Sequence, residues 1–196
     1  MPDVTAAVRA HLTQTFTGRG ITAEPVAASV TFLGAEAIDV LRFGPAADEV
    51  YHYVSVGCSR NPMIDPMAMV ADTDSGPRAE VVVSLRGATP TGLARSIAIL
   101  ASAPLVEGLV LEPDALIDLQ SPLWDGTAFN AFLLGDSDID DVELPGHEPV
   151  RILSATPITA TEAAWVRLKG AAAMREAWQQ DGVDVLDQRR RAAEPS

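Results

Sequence analysis

The chain is poor in cysteine, lysine and aromatic side chains. Cys58 is the only cysteine among 196 residues, so no intrachain disulfide forms and no four-thiolate zinc site can be built. Lys169 is the only lysine, and the remaining bases are all arginine. With so much Ala, Val and Asp, that bias reads as GC-rich coding and points to a high-GC bacterium. Phe, Tyr and Trp together make up 5% of the chain, and no Lys/Arg stripe is interleaved with them. A nucleic-acid face built from basic and stacking side chains is therefore excluded. The charge balance agrees: 27 acids against 14 bases leave a formal charge of −13, the wrong sign for displacing phosphate counterions or docking on an anionic membrane. No run of eighteen apolar residues occurs, and Met1-Pro2-Asp3-Val4 opens without a basic and then apolar leader. The cytoplasm is the expected location. A P-loop, a Rossmann fingerprint and a His-Glu-x-x-His helix are all missing, so no cofactor is expected.

What remains is an ordinary globular composition, 47% hydrophobic and 21% charged. A chain of this length buries roughly 70% of its unfolded surface, enough for a core without metal or disulfide staples. One domain is expected over residues 1–190, with 191–196 as a polar tail.

Asp3 is placed to cap a first helix whose stripe is Val4, Val8, Leu12 and Phe16, stopped by Gly18-Arg19-Gly20. Two β-type runs follow, Val26–Leu33 and Ala37–Phe43, with Gly34-Ala35-Glu36 between them as a hairpin turn. Val50–Val56 alternates, with Val50, His52, Val54 and Val56 on one face. Residues 58–78 form a long, mobile loop carrying Met63, Met67 and Met69. Ala79–Arg86 holds three consecutive valines and is expected in the middle of the sheet, buried on both faces. Thr89-Pro90-Thr91 opens a second helix that Pro104 ends. Ala115–Leu119, Ala128–Leu134 and Val150–Ala155 are strand candidates. Thr159-x-x-Glu162 is a capping box for a third helix, carrying Trp165, Leu168, Met174 and Trp178 and weakened at Gly170. Val183–Asp187 reads as a last short strand. The expected class is α+β: one mixed, mainly antiparallel sheet with about three helices packed on it.

Few residues suggest chemistry. Cys58 and Ser59 follow Gly57 at a strand end, where a nucleophile sits in some hydrolases. No second Gly completes a nucleophile elbow, and the spacing of His11, His52 and His147 couples none of them to Cys58. A small hydrolase using Ser59 or Cys58 is the alternative to a binding role. Asp136-Ser137-Asp138-Ile139-Asp140-Asp141 opens like a calcium loop. The pattern then fails, with Asp141 at its sixth position and His147 at its twelfth. No metal site is expected.

The strongest feature is a charge asymmetry. Between Arg95 and Arg151 no Lys or Arg occurs, while eleven acids do, from Glu107 to Glu148. This stretch is either a solvated face or an acidic docking face for a basic protein. Trp124, in a turn beside Pro122 and Asp125, is either a core residue or a partner contact. The candidate partner-binding residues are Asp114, Asp118, Trp124, Asp125, Asp136, Asp138, Asp140 and Asp141.

Several segments in order resemble the suppressor-of-fused domain family. They are Tyr53-Val54-Ser55-Val56-Gly57-Cys58-Ser59, Arg78–Arg86, Gln120-Ser121-Pro122-Leu123 followed by Phe129–Gly135, Ile152–Gly170, and Asp187-Gln188-Arg189-Arg190. The resemblance spans residues 30–190. It implies a non-enzymatic interaction domain of the bacterial single-domain type. Animal members sequester Gli-type transcription factors by strand addition in a cleft made with a second domain, which this chain is too short to hold. The bacterial relatives resemble immunity proteins that neutralise polymorphic toxins. The partner-contact stretches map onto Asp114–Leu119 and Val183–Asp187. Arg189–Arg191 is expected to fray in solvent.

Overall fold

The computed structural model describes residues 3–65, 67 and 75–195. Its elements in chain order are α1 (Val4–Gly18), β1 (Val26–Val30), β2 (Ile38–Phe43), β3 (Val50–Val56), β4 (Arg78–Arg86), α2 (Leu93–Glu107), β5 (Leu116–Asp118), β6 (Phe129–Asp136), β7 (Val150–Thr159), α3 (Ala160–Lys169) and α4 (Ala171–Gln180). The strands form one seven-stranded sheet in the order β1-β2-β3-β4-β7-β6-β5. Only the β4–β7 pair is parallel. This is the expected α+β class, with one sheet that is mixed and mostly antiparallel.

The triple valine stands where its burial pattern requires, because β4 is the fourth of the seven strands. Val81 and Val83 face one core with Leu93, Ile97 and Leu100 of α2. Val82 faces the other core with Val8, Leu12 and Phe16 of α1. β7 splits its side chains in the same way: Leu153 and Ala155 point toward α2, and Ile152 toward α1. Ile158 meets α3 and α4. Strand alternation therefore places α2 on one face and α1 with the α3–α4 pair on the other. His52 lies on the α1 face as expected, stacked on Phe16 at 5.1 Å.

Several sequence-based expectations change. The third helix is two, broken at Gly170 (φ 92°, ψ 165°), a backbone conformation that an L side chain resists. Leu168 is consequently exposed, while Met174 and Trp178 pack in the core. Pro104 does not end α2. It occupies the last turn, and the helix continues to Glu107 with Gly108 in the left-handed conformation after it. Val183–Asp187 is not a strand; it contributes a single parallel bridge, Arg86 to Asp187. The capping box at Thr159 and Glu162 forms in full. Of the methionines placed in the 58–78 loop, Met63 is buried and Met67 exposed. Met69, and the mobility expected around it, lie outside the described residues.

Candidate partner-binding site

Four of the eleven acids in the long acidic stretch are paired with arginines from elsewhere in the fold. Asp114, just before β5, pairs with Arg175 of α4. Asp118 at the end of β5 pairs with Arg167 of α3 at 2.8 Å, and this hydrogen bond is the main cause holding its carboxyl below the usual range. Asp136 pairs with Arg151 at 2.7 Å, and Asp138 with Arg19 at 3.2 Å. Each of these partly exposed pairs contributes at most about 1 kcal/mol. Their larger effect is to remove negative charge from the surface that the sequence suggested.

The candidate residues therefore do not form one face. Asp114 and Asp118 belong to the β5 edge. Trp124 is 6% exposed and packs on Phe129 with ring centroids 5.4 Å apart, so its indole is part of the core. Asp125 is exposed on the following turn, in a groove that Arg189 and Arg190 also line. Of the remaining acids, Asp136 ends β6 and Asp138, Asp140 and Asp141 lie on the connection from β6 to β7.

That connection lines an open acidic groove that two of the eight candidates, Asp140 and Asp141, share. It runs between α1 and residues 139–143, with a volume of about 800 Å³, lined by Ala7, His11 and Gln14 against Asp140, Asp141 and Glu143. The His11 ring lies 2.9 Å from the Asp140 carbonyl, tying helix to loop. Ile139, Val142 and Leu144 are buried between the acids and fix the loop to the α1 core. Among the described residues, no Lys or Arg pairs with Asp140, Asp141 or Glu143. Nor do any three His, Cys, Asp or Glu side chains converge there or elsewhere on a point that would hold a cation.

The other pair of candidates, Cys58 and Ser59, has a different role. Glu80, wholly buried on β4, accepts hydrogen bonds from Gly57 N (2.8 Å), Ser59 N (3.0 Å), Ser59 Oγ (2.6 Å) and Ser55 Oγ (2.5 Å). Burial pushes its carboxyl up, against the pull of those four donors. From the other side, Arg78 donates to the carbonyls of Ser59 and Arg60, each at 2.7 Å. The Gly57–Arg60 turn is thus clamped between an acid and a base of one strand. Ser59 is fully buried and its hydroxyl is bound to Glu80. Burial, with the nearby Glu80 charge, raises the Cys58 thiol well above its ordinary value, which disfavours the thiolate. The imidazole nearest in sequence, His52, is occupied by Ser84 Oγ at 2.7 Å. Among the described residues no imidazole is hydrogen-bonded to either side chain, and the Ser59 hydroxyl is held by the buried Glu80 carboxylate as part of the turn. Glu80 escaped the sequence reading, although a lone acid beside three valines in a doubly buried strand is itself a signal that donors must surround it.

Gly57 sits at φ 137°, and a Cβ there would lie 2.9 Å from Arg60 Nη1. Gly57→Ala is expected to destabilise the fold by about 1–3 kcal/mol, read as a lower urea midpoint with an unchanged m value. An unchanged midpoint would show that the turn relaxes at no cost.

A second buried network anchors the C-terminal segment. Glu162 accepts from Arg190 Nη1 (2.8 Å), Trp178 Nε1 (3.0 Å), Ala193 N (3.1 Å) and Thr159 N (2.9 Å). The Arg190 guanidinium also lies over the Phe129 ring at 4.9 Å and donates to the Pro157 carbonyl. The expectation that Arg189–Arg191 frays in solvent fails at Arg190, whose side chain is only 5% exposed. Upstream, Arg86 N donates to the Leu186 carbonyl, and Gln188 Nε2 to the carbonyls of Arg86 and Ala88.

These features coincide with the segments whose order suggested a family, and comparison with known proteins decides the matter. The family model of the suppressor of fused protein matches residues 34–191. This chain belongs to the suppressor-of-fused family. Solved suppressor-of-fused structures share its fold. A homologue from Neisseria gonorrhoeae superposes with a TM-score of 0.69 at 18% identity, covering 99% of this chain and 98% of that one. Drosophila suppressor of fused gives 0.70 at 15% identity over 96% of this chain, which spans half of the Drosophila chain. A chain from the Sufu–Fu complex gives 0.69 at 14% identity, covering 96% of this chain and 91% of that one. In that complex the fold is held in a protein–protein assembly. No curated protein matches the sequence. Within the suppressor-of-fused fold, Glu80 and Glu162 hold two of the segments that carry the sequence resemblance.

Proposed function

We propose that this protein is a non-enzymatic binding module that takes a basic segment of a protein partner into the groove between α1 and the β6–β7 connection. The observation that carries this reading is the groove itself: Asp140, Asp141 and Glu143 line it without an arginine or lysine partner, in a chain of net charge −13. Complementary charge there accelerates encounter and excludes acidic competitors. The β5 edge, three residues long with Asp114 and Asp118 beside it, is a second contact line, where strand addition supplies main-chain hydrogen bonds. Its acids are held by Arg175 and Arg167, so a basic partner has to compete for them. The Sufu–Fu complex supports a protein partner in kind. No helix among the described residues is long and apolar enough to cross a membrane, which is compatible with work in the cytoplasm.

The test is capture from the source organism's lysate with wild type and with the triple variant Asp140→Asn/Asp141→Asn/Glu143→Gln. One stoichiometric basic partner is expected on the wild type, released between roughly 50 and 200 mM salt, as screening shortens the reach of exposed charges. The variant is expected to lose most of that partner through a slower on-rate. Equal retention by both proteins at both salts would remove the groove as the docking site. The immunity role is the narrower form of this proposal: the captured partner would carry a toxin domain, and adding this protein would abolish its activity.

A further inference from the structure

The sheet has a second edge, and among the described residues nothing pairs with it. There β1 pairs only with β2, and Val26, Ala27, Ala28 and Ser29 are all exposed, with Val30 half-buried. The strand reads Val-Ala-Ala-Ser-Val and carries no charge, no proline and no bulge in its pairing. Those are the devices by which monomeric sheet proteins protect their edges. The helices cover it incompletely: α2 packs against β1 and β2, yet the side chains of Val26–Ser29 stay in solvent.

Apolar surface is concentrated beside this edge. Among the described residues seven large hydrophobics are exposed. Four of them, Val26, Leu33, Ile64 and Leu105, lie on β1, on the turn after it, or in the lining of a cavity of about 740 Å³ bounded by that turn and the last turn of α2, and Val106 follows Leu105 in that helix. Leu33 is completely exposed and Val26 is 57% exposed. Apolar exposure gathered on neighbouring elements is a feature of interaction surfaces.

We infer that β1 is a homodimer edge: two copies pair their β1 strands antiparallel about a two-fold axis at Ala28, joining two seven-stranded sheets into one. The chemistry selects a second copy over other occupants. The five-residue strand is self-complementary about its centre, setting Val26 opposite Val30 of the second copy and Ala27 opposite its Ser29, as an isologous contact requires. It is uncharged, so two chains at −13 meet along a neutral line. A basic segment of the kind suited to the acidic groove finds no acid on this strand. A stable interface needs about 800 Å² from each partner. A five-residue strand covers only part of that, and the exposed side chains of the turn and of α2 supply apolar area beside it.

The experiment is sedimentation or light scattering of the 196-residue chain from about 1 to about 100 µM, with two variants. Wild type is expected to approach twice 20.7 kDa as concentration rises. Ala28→Lys, at an exposed position that leaves the fold intact by circular dichroism, sets like charges face to face at the axis and is expected to remain at 20.7 kDa. In the Ala28→Cys variant the two introduced thiols meet at the axis within disulfide range. Mild oxidation is expected to trap it as a covalent dimer well beyond the level of the wild-type chain, whose only thiol is Cys58. A wild type that stays monomeric throughout overturns the inference. So does a dimer that survives Ala28→Lys, or one whose Ala28→Cys form is not trapped, because the second copy would then sit elsewhere. The outcome is independent of the groove variant proposed above.

Discussion

Replacing Arg190 with alanine is expected to lower the unfolding free energy by about 3–5 kcal/mol. The reason is the state of Glu162 after the change. Its carboxylate has no exposed surface and keeps Trp178, Thr159 and Ala193 as neutral donors, but it loses its only cation. An unpaired buried charge costs far more than the net worth of the intact pair. At about 2–4 °C per kcal/mol for a chain of this size, the melting temperature is expected to fall by roughly 10 °C. Arg190→Lys is expected to recover only part of the loss. A single ammonium cannot reproduce the guanidinium fork that reaches both Glu162 oxygens and the Pro157 carbonyl. A loss below about 1 kcal/mol would mean that water screens the pair, as at exposed sites. The pH dependence has a definite sign. Burial alone would raise the Glu162 carboxyl, but Arg190 and the backbone donors hold it below its ordinary 4.5. The contribution of the pair is therefore complete above that value and is lost as pH falls through the lowered one.

Glu80→Leu is expected to cost about 3 kcal/mol or more at neutral pH. Two backbone N–H groups, Gly57 and Ser59, lose their acceptor in a buried turn, at about 1–3 kcal/mol each. Its pH dependence runs opposite to that of Glu162. Burial holds the folded carboxyl of Glu80 above its unfolded 4.5, so the native state takes up a proton that the unfolded chain releases. The stability Glu80 confers is full below 4.5 and declines as pH rises through the raised value. Urea titrations of both variants and the wild type between pH 3 and 8 separate the two carboxylates. The advantage of wild type over Glu80→Leu shrinks on the alkaline side, and its advantage over Arg190→Ala on the acid side. Parallel pH profiles would show that the buried network at Glu80 is solvated.

These two carboxylates each tie a segment distant in sequence to the sheet and its helices. Glu80 binds the turn after β3 to the central strand, and Glu162 binds the segment around Arg190 to the start of α3. Each lies in a stretch where the motif order suggested the family. Those motifs can be read as structural before they are functional: Gly-x-Ser presents donors to Glu80, and the terminal Asp-x-Arg-Arg delivers Arg190 to Glu162.

Local pattern was sufficient for most of the elements. Asp3 capping α1, the alternation of β3, the triple valine of the central strand and the Thr159–Glu162 box each depend on neighbours a few residues apart, and each was legible. So was the sheet class, because adjacent β-runs with short turns pair antiparallel. The motif order was legible as family for the same reason. The break at Gly170 was legible only as a weak point, since whether a glycine bends a helix or ends it depends on what the two halves pack against. Pro104 misled because a proline inside a helix removes one i→i−4 hydrogen bond without necessarily ending it, and α2 runs three residues past it to Glu107. The charge pattern was legible only in part. Acids crowded in sequence meet arginines 15, 49, 61 and 119 residues away, and a count along the chain cannot foresee which will be paired. Trp124, legible either as core or as contact, went inside, and Arg190, expected in solvent, was buried against Glu162 for the same reason. Hydrogen bonding and packing within a few residues are written in the sequence itself. Burial of a charge, and the identity of the partner that makes it tolerable, are decided by distances that exist only once the sheet has closed around them.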